Sequence, residues 1–212
     1  MKQWCWTLPS SKPTVDETRT KMVGACRTLK PRVGRNGKTY ELGYKLHVAA
    51  DAKSELPRAV IAASANENEK KHASALFRKA LKTTKQRTKA LVADSQYSSR
   101  KLREQLSAHN VKTVIPYPAN QSKEKKTLLR VDRCFRTHGP ACERQIYTQR
   151  GAIERVNSRF KEQLCLERHR ARGLERITIH ALLCIIVMLL NALTALRLNR
   201  PEKARSITML AR

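Results

Sequence analysis

Acidic residues are scarce in this 212-residue chain, and basic residues are abundant. Its 17 acids comprise 13 Glu and only four Asp, against 44 Lys and Arg, so the formal net charge is +27. This excess of positive charge makes a small-molecule enzyme a poor first hypothesis and favours a polyanionic partner, most often nucleic acid. A catalytic site that needs aspartate must draw on the four that exist, which are Asp16, Asp51, Asp94 and Asp132.

Two further features are missing, and each excludes a class of protein. None of the six cysteines forms a Cys-x-x-Cys pair, and Cys134, His138 and Cys142 are spaced unlike the ligands of a zinc site. The first twenty residues lack the long apolar run of a secretory signal. We therefore expect reduced thiols and a cytoplasmic protein.

One segment requires a decision between a core helix and a membrane span. Residues 177–196 contain no charged side chain, which meets the length criterion for crossing a bilayer. Four polar residues interrupt the segment, and every other part of the chain is typical of a soluble protein. The sequence therefore favours a buried core helix and no membrane partner.

The pattern along the first part of the chain predicts a hairpin followed by a helix. Residues 1–39 are broken by proline and glycine and are predicted to be irregular, or a remnant of a first strand. Alternating apolar residues over 40–50 predict a strand, and the apolar run 59–63 predicts its antiparallel partner. Asn66 and Glu69 have the spacing of a capping box, which predicts that an amphipathic helix begins there.

The second part alternates between short strands and helices. Residues 89–94 predict a buried strand that ends in an aspartate, and residues 111–115 predict another strand. The remainder divides by composition into a basic loop or insertion, a basic helix, the apolar helix and a charged tail, over residues 117–145, 143–168, 177–196 and 199–212. This order predicts an α/β domain over residues 40–198, in which helices cover a mixed sheet.

One face of the basic helix carries the strongest chemical signal. Tyr147, Arg150, Glu154 and Lys161 lie within a stripe about 60° wide if each residue turns the helix by about 100°. Two interpretations are open from these residues alone. The stripe is either a solvated face with spaced ion pairs, or a site that places one acid between two cations and a phenol.

The spacing Tyr-x2-Arg-x3-Glu-x6-Lys resembles the signature of prokaryotic insertion-sequence transposases with an RNase H-like DDE domain, and this chain matches it at every position. Three other stretches resemble the same family, which are Gly-Tyr-Lys-Leu-His at 43–47, Asp-Ser-Gln-Tyr at 94–97 and Arg-Gly-Leu at 172–174. The resemblance covers about residues 40–195. It implies an RNase H-like mixed sheet flanked by helices.

The resemblance also implies a metal-dependent site. In this family two aspartates and a glutamate hold two divalent metal ions, normally Mg²⁺, for which Mn²⁺ substitutes. Asp94 and Glu154 would be two of these ligands. Arg150 and Lys161 would lie beside DNA phosphates, and Tyr147 would lie beside the reacting DNA end.

The residues leave open which side chain supplies the first of the three acids. Asp16 is the only aspartate before residue 43, which makes it the candidate for the catalytic and metal-binding position. The sequence around Asp16 is unfavourable for a β-strand, because Pro13 lies close and Val15 is the only apolar residue within three positions. The alternative is a truncated reading frame that lacks the first strand and its aspartate.

The function implied is DNA transposition of an insertion sequence. The enzyme would hydrolyse a phosphodiester bond at the element end and join the freed 3′-hydroxyl to target DNA. Its partners would be transposon ends, target DNA and further copies of itself, in a prokaryotic cytoplasm and associated with the nucleoid. Two alternatives are a basic transposase remnant that binds nucleic acid without catalysis, and an RNase H-like nuclease that cleaves without joining strands.

Overall fold

The computed structural model describes residues 2–7, 10–11, 31–36, 39–85, 87–118, 141–167 and 171–207. Asp16 and Asp132 therefore lie outside the described residues. The strands are β1 (Lys2–Thr7), β2 (Ser10–Ser11), β3 (Arg32–Asn36), β4 (Thr39–Asp51), β5 (Pro57–Ser64), β6 (Thr88–Ala93) and β7 (Lys112–Val114). The α-helices are α1 (Glu69–Thr83), α2 (Arg100–Ala108), α3 (Ala141–Tyr147), α4 (Gly151–Ser158) and α5 (Leu174–Arg197). Short helical segments are Ser95–Tyr97, Thr148–Arg150 and Pro201–Arg205, which are 3₁₀, and Arg159–Gln163, which is π.

The strands of the described part form a mixed sheet with β1 at its centre. The order across the middle of the sheet is β5-β4-β1-β6-β7. β1 runs antiparallel to β4 and parallel to β6, and β7 is parallel to β6. β4 is long enough to pair with β3 near its start, and with β5 and β2 further along. Helices pack on both faces, which confirms the predicted α/β class.

The alternation in β4 separates two halves of the core. Leu46, Val48 and Ala50 pack with residues of α4 and α5 on one face of the sheet, whereas Ala49 packs with α1 and α2 on the other. β5 pairs antiparallel with β4, so the predicted hairpin is confirmed. Asp51 serves the turn, because its carboxylate accepts a hydrogen bond from Lys53 N at 2.9 Å and pairs with Arg58.

The N-terminal segment, predicted to be irregular, contributes three strands to the sheet. β1 satisfies backbone groups on both of its edges by pairing with β4 and β6. Partners from distant parts of the chain thus impose the extended conformation, which local sequence reading does not detect. β1 precedes the hairpin and lies beside β6, and its six residues include no Asp or Glu.

The first helix begins two residues later than the capping box predicted. Its N-cap is Asn68, whose side chain accepts a hydrogen bond from Lys70 N at 3.0 Å. The preceding turn is closed by a bond from Glu67 N to Ser64 O, which delays the start of the helix. Glu69 is consequently free of a capping role and instead accepts from Lys45 Nζ at 2.7 Å.

The basic helix occupies residues 141–163 rather than 143–168, and its pitch changes along its length. α3 passes through a 3₁₀ turn into α4, which continues into the π segment. A bond from Leu164 N to Arg159 O closes the π segment, and Cys165, at φ 52°, ends the run. The tighter and wider turns rotate side chains away from the positions that a uniform 100° step predicts.

The apolar helix α5 is buried on one face only, which corrects the prediction of a buried core helix. Small or sulfur-containing side chains dominate the buried face, which consists of Ile177, Ala181, Cys184, Met188, Ala192 and Ala195. Large aliphatic side chains occupy the exposed face. By length and composition α5 is the one helix of the described chain that is apolar enough to cross a membrane.

The predicted charged tail is folded against the protein as far as it is described. The 3₁₀ segment Pro201–Arg205 packs on α5, where Asn191 Nδ2 donates to Ala204 O at 3.2 Å. Arg205 reaches the β4–β5 turn and donates to Glu55 Oε1 at 3.3 Å. The segment therefore joins α5 to the hairpin.

Candidate active site

A cavity of about 470 Å³ lies where the end of β6 meets the basic helix. Its walls carry most of the residues that the sequence singled out, namely Asp94, Arg150, Glu154 and Lys161. The remaining wall residues are Gln96, Tyr97, Asn157, Ser158 and Glu162. A strand end and a helix face that are far apart in sequence thus meet at one opening.

Asp94 is presented by the strand that precedes it. β6 is buried over Ala90–Ala93, so the chain leaves the core at Asp94, where the carboxylate becomes half-exposed. Asp94 begins the 3₁₀ segment through a bond from Tyr97 N to its carbonyl, at 3.0 Å. Ser95 Oγ donates to Asp94 Oδ1 at 3.1 Å, which orients the carboxylate at the cavity.

Glu154 reaches the cavity from the first turn of α4. Its side chain is 57% exposed, and its Oε1 lies 3.0 Å from Arg150 Nη2 one turn earlier. The Arg150 side chain is only 16% exposed, and its guanidinium lies 5.9 Å from the Tyr147 ring centroid. Because most of the Arg150 side chain is buried in the helix wall, its guanidinium has a restricted position, which suits it to bind an anion at the opening.

Tyr147 has a different location from the one that the helix stripe implied. Its side chain is fully buried, in the core cluster that also contains Val92, Val114 and Ile153. The phenol is therefore inside the protein and not beside the cavity opening. The 3₁₀ turn that follows Tyr147 accounts for the difference, because it changes the rotation between Tyr147 and Glu154.

Two neighbouring residues complete the charged wall of the cavity, one predicted and one missed. Lys161 lines the cavity, and its Nζ lies 2.6 Å from Glu167 Oε1. Glu162 is a third carboxylate of the wall, and the sequence does not predict it there, since a uniform helix places it about 80° from Glu154. The π segment lowers the rotation per residue, and the sequence carries no signal for that change.

Comparison with known proteins identifies the class of molecule. A family model described as "Transposase DDE domain" matches residues 14–190. The chain belongs to the transposase DDE domain family. Membership confirms the predicted DDE transposase class, the enzyme class and DNA transposition as the function, and it makes the chain a DNA-acting protein. Enzymes of this DDE class generally depend on divalent metal ions.

Two solved structures show a weak likeness to the chain. The catalytic core domain of BIV integrase is 13% identical, with 76% of this chain and 81% of that chain covered and a TM-score of 0.37. The Mos1 transposase in a paired-end complex with the left transposon end is 11% identical, with 78% and 55% covered and a TM-score of 0.32. This chain therefore spans about half the length of the Mos1 transposase. No curated protein matches it.

The described residues provide part of the donor set that a divalent metal would need. Asp94 and Glu154 supply hard carboxylate oxygens to one cavity, which fits one Mg²⁺ that keeps several of its water ligands. No group of three His, Cys, Asp or Glu suited to a metal occurs within the described ranges. β1, which lies beside β6, supplies no acid. Glu162 also lines the cavity, but within the described ranges it forms no such three-ligand group with Asp94 and Glu154.

The DDE domain positions α4 through a buried ion cluster that the sequence did not reveal. Glu55, in the β4–β5 turn at φ 55°, accepts hydrogen bonds from Arg155 Nε at 2.8 Å and from Arg159. Burial alone raises the pKa of Glu55, but the two arginines outweigh it and hold the pKa below its usual range. Arg155 follows Glu154 directly, so the cluster sets the rotation of the helix that presents the acid.

A buried polar chain lies behind the cavity wall of the DDE domain. His47 on β4 is fully buried, and its Nδ1 lies 2.9 Å from the hydroxyl of Tyr97, which lines the cavity. His47 also stacks on His72 at 4.9 Å, and His72 Nε2 lies 3.1 Å from Glu67 Oε2. Burial, reinforced by His72, lowers the pKa of His47 to about 4. His47 is therefore neutral at pH 7.

The low pKa of His47 predicts a loss of stability in mild acid. An unfolded histidine titrates near 6.5, so between pH 6.5 and about 4 the unfolded chain binds a proton that the folded chain does not. Above pH 6.5 the free energy of unfolding should have its full value. We expect it to fall by about 3 kcal/mol as the pH drops to 4. Urea unfolding at a series of pH values measures this, and His47→Gln should remove the dependence in that window. An unchanged profile in His47→Gln assigns the acid sensitivity to other groups.

Proposed function

We propose that the cavity between β6 and the basic helix is the catalytic site at which this transposase cleaves an element end and joins it to target DNA. The observation that supports the proposal is the convergence of Asp94 and Glu154 on one opening, together with the cations Arg150 and Lys161. Acids suit a divalent metal and cations suit a phosphate, so both parts of a metal–phosphodiester complex find ligands of the required charge.

The proposal gives each residue a role. Asp94 and Glu154 hold Mg²⁺, with Asp16 as the proposed third ligand, and Mn²⁺ substitutes for it. A bound pair of such ions would polarise the scissile phosphate and activate the attacking oxygen. Arg150 and Lys161 hold the DNA backbone beside the acids. Tyr147, being buried, supports the guanidinium of Arg150 from inside the helix wall.

The charge of the chain supports the proposed partners. The chain has a net charge of +27, so its binding to DNA should release many counterions. Its affinity for transposon ends and target DNA should therefore depend steeply on salt. The same charge supports residence on the nucleoid of a prokaryotic cell. Because an element has two ends that move together, the proposal includes a homo-oligomer on DNA.

One observation favours a second candidate function, a remnant that binds DNA without cutting it. The strand beside β6 supplies no carboxylate, and the described residues hold no three-ligand group. If Asp16 does not reach the cavity, the metal site has two protein carboxylates instead of three. Binding through the basic surface would survive that loss.

A cleavage assay on the full chain tests the proposal. We expect supercoiled plasmid to be nicked with Mg²⁺ or Mn²⁺ and to stay intact with a chelator. We also expect a labelled DNA end with a free 3′-hydroxyl to become joined to the plasmid. Steeply salt-dependent binding with neither nicking nor joining would establish the remnant, and nicking without joined product would establish a nuclease.

A further inference from the structure

The exposed face of α5 is the largest apolar surface of the described chain without a partner. Nine of its large aliphatic side chains are 40–58% exposed. Together they present on the order of 800 Å² of apolar surface, about the area that each partner contributes to a stable interface. A contiguous patch of this size on a highly charged protein marks an interaction site.

The spacing of the exposed residues specifies another helix as the occupant. Six of them follow alternating steps of three and four residues and define the seam, which comprises Ile179, Leu182, Ile186, Leu189, Leu193 and Leu196. This is the a/d pattern of a coiled coil, in which each side chain fits between side chains of a facing helix with the same period. Leu183 and Leu190 widen the seam on one side.

Charge decides the direction of the facing helix. Glu175, four residues before Ile179, lies on the seam face at the start of α5, Arg176 lies beside it on the flank of the helix, and Arg197 lies at the end; all three are exposed. A parallel pair would bring like charges together at each end, whereas an antiparallel pair brings Glu175 of one copy near Arg197 of the other. Between these ends the seam carries no charge, so the basic surface of each copy does not oppose contact there.

We propose that α5 is a dimerisation helix that packs antiparallel against α5 of a second copy through this seam. The contact is isologous, as in most homodimers, because one self-complementary surface serves both copies. The proposal deepens the homo-oligomer of the proposed function but needs neither DNA nor metal. Its failure would therefore leave the catalytic proposal intact.

Sedimentation of the full chain without DNA, at high salt, tests the interface. We expect a dimer for the natural chain. Ile186→Lys combined with Leu189→Lys should weaken association by more than about a hundredfold, since four ammonium groups would be buried in one apolar contact. Val33→Lys combined with Leu42→Lys, on paired positions of β3 and β4 that are 56% and 37% exposed against 49% and 40% for the test pair, is the matched control and should stay dimeric.

Further outcomes overturn the proposal. A natural chain that stays monomeric at high concentration, or a double variant that still dimerises, excludes the seam as the interface. Flotation of the natural chain with neutral phosphatidylcholine vesicles would assign α5 to a membrane surface. Both substituted positions are exposed, so circular dichroism should show a folded variant; if the pair unfolds, Ile186→Lys alone gives the same comparison.

Cross-linking tests the direction. In an antiparallel pair, Ile179 of one copy lies near Leu196 of the other. Oxidising a mixture of Ile179→Cys and Leu196→Cys proteins should give a covalent heterodimer, beyond any background in the natural chain. Efficient cross-linking of Ile179→Cys with itself would indicate a parallel pair and overturn the antiparallel arrangement.

Discussion

Glu154→Gln should abolish metal-dependent cleavage while leaving DNA binding in place. The substitution preserves size and helix propensity but removes the charge that a divalent cation requires from its ligand. We expect the nicking rate to fall by about a thousandfold, or about 4 kcal/mol in the barrier. DNA affinity should stay equal or rise slightly, since one negative charge leaves an opening that binds phosphate. Plasmid nicking and filter binding under the same conditions measure the two effects.

Two variants on the same helical run separate this effect from a loss of charge alone. Glu143→Gln removes a carboxylate from α3 outside the cavity, where Glu143 lies 3.8 Å from Lys112, and should cleave normally. Lys161→Ala should weaken binding to all sequences and lower the slope of log affinity against log salt by about one unit. Full cleavage by Glu154→Gln would mean that the helix stripe is a solvated face.

The sequence predicted those parts of the site that depend on residues close together in the chain. Asp94 ends a short apolar strand, and Glu154 belongs to a fixed spacing on one helix, so both depend on contacts within a few residues. The central position of β1 depends on pairing with β4 and β6, and nothing in its own six residues indicates two partners. The Glu55 cluster similarly joins a turn to helices about a hundred residues away.

The sequence could not predict the changes of helical pitch either, for a different reason. A stripe computed at one angle per residue placed Tyr147, Arg150 and Glu154 on one surface. The 3₁₀ turn alters that angle between Tyr147 and Glu154, the π segment alters it further along for Glu162, and tertiary packing selects both. The apolar composition of α5 likewise predicted burial. In the single chain one face of the helix is nevertheless exposed, and the proposed dimer contact would bury it.

Tyr147→Ala should act on stability far more than on DNA contact. The ring is fully buried beside Ile153, Val92 and Val114, so truncation leaves a cavity in the core between the sheet and α4. We expect the free energy of unfolding to fall by about 3–5 kcal/mol in urea titrations, as for other buried aromatic truncations. Should that variant fail to fold, Tyr147→Leu fills more of the space and should give a smaller loss of the same kind.

Tyr147→Phe isolates the ring from the hydroxyl. It keeps the buried volume, so it should cost about 1 kcal/mol and bind DNA with the affinity and salt slope of the natural chain. If the phenol instead contacted DNA, Tyr147→Ala would unfold at nearly the natural urea concentration while losing affinity. The burial of Tyr147 makes the first result the expected one, because a fully enclosed ring contacts DNA only if the helix wall opens. Its influence on catalysis would then pass through Arg150, whose guanidinium lies 5.9 Å from the ring centroid.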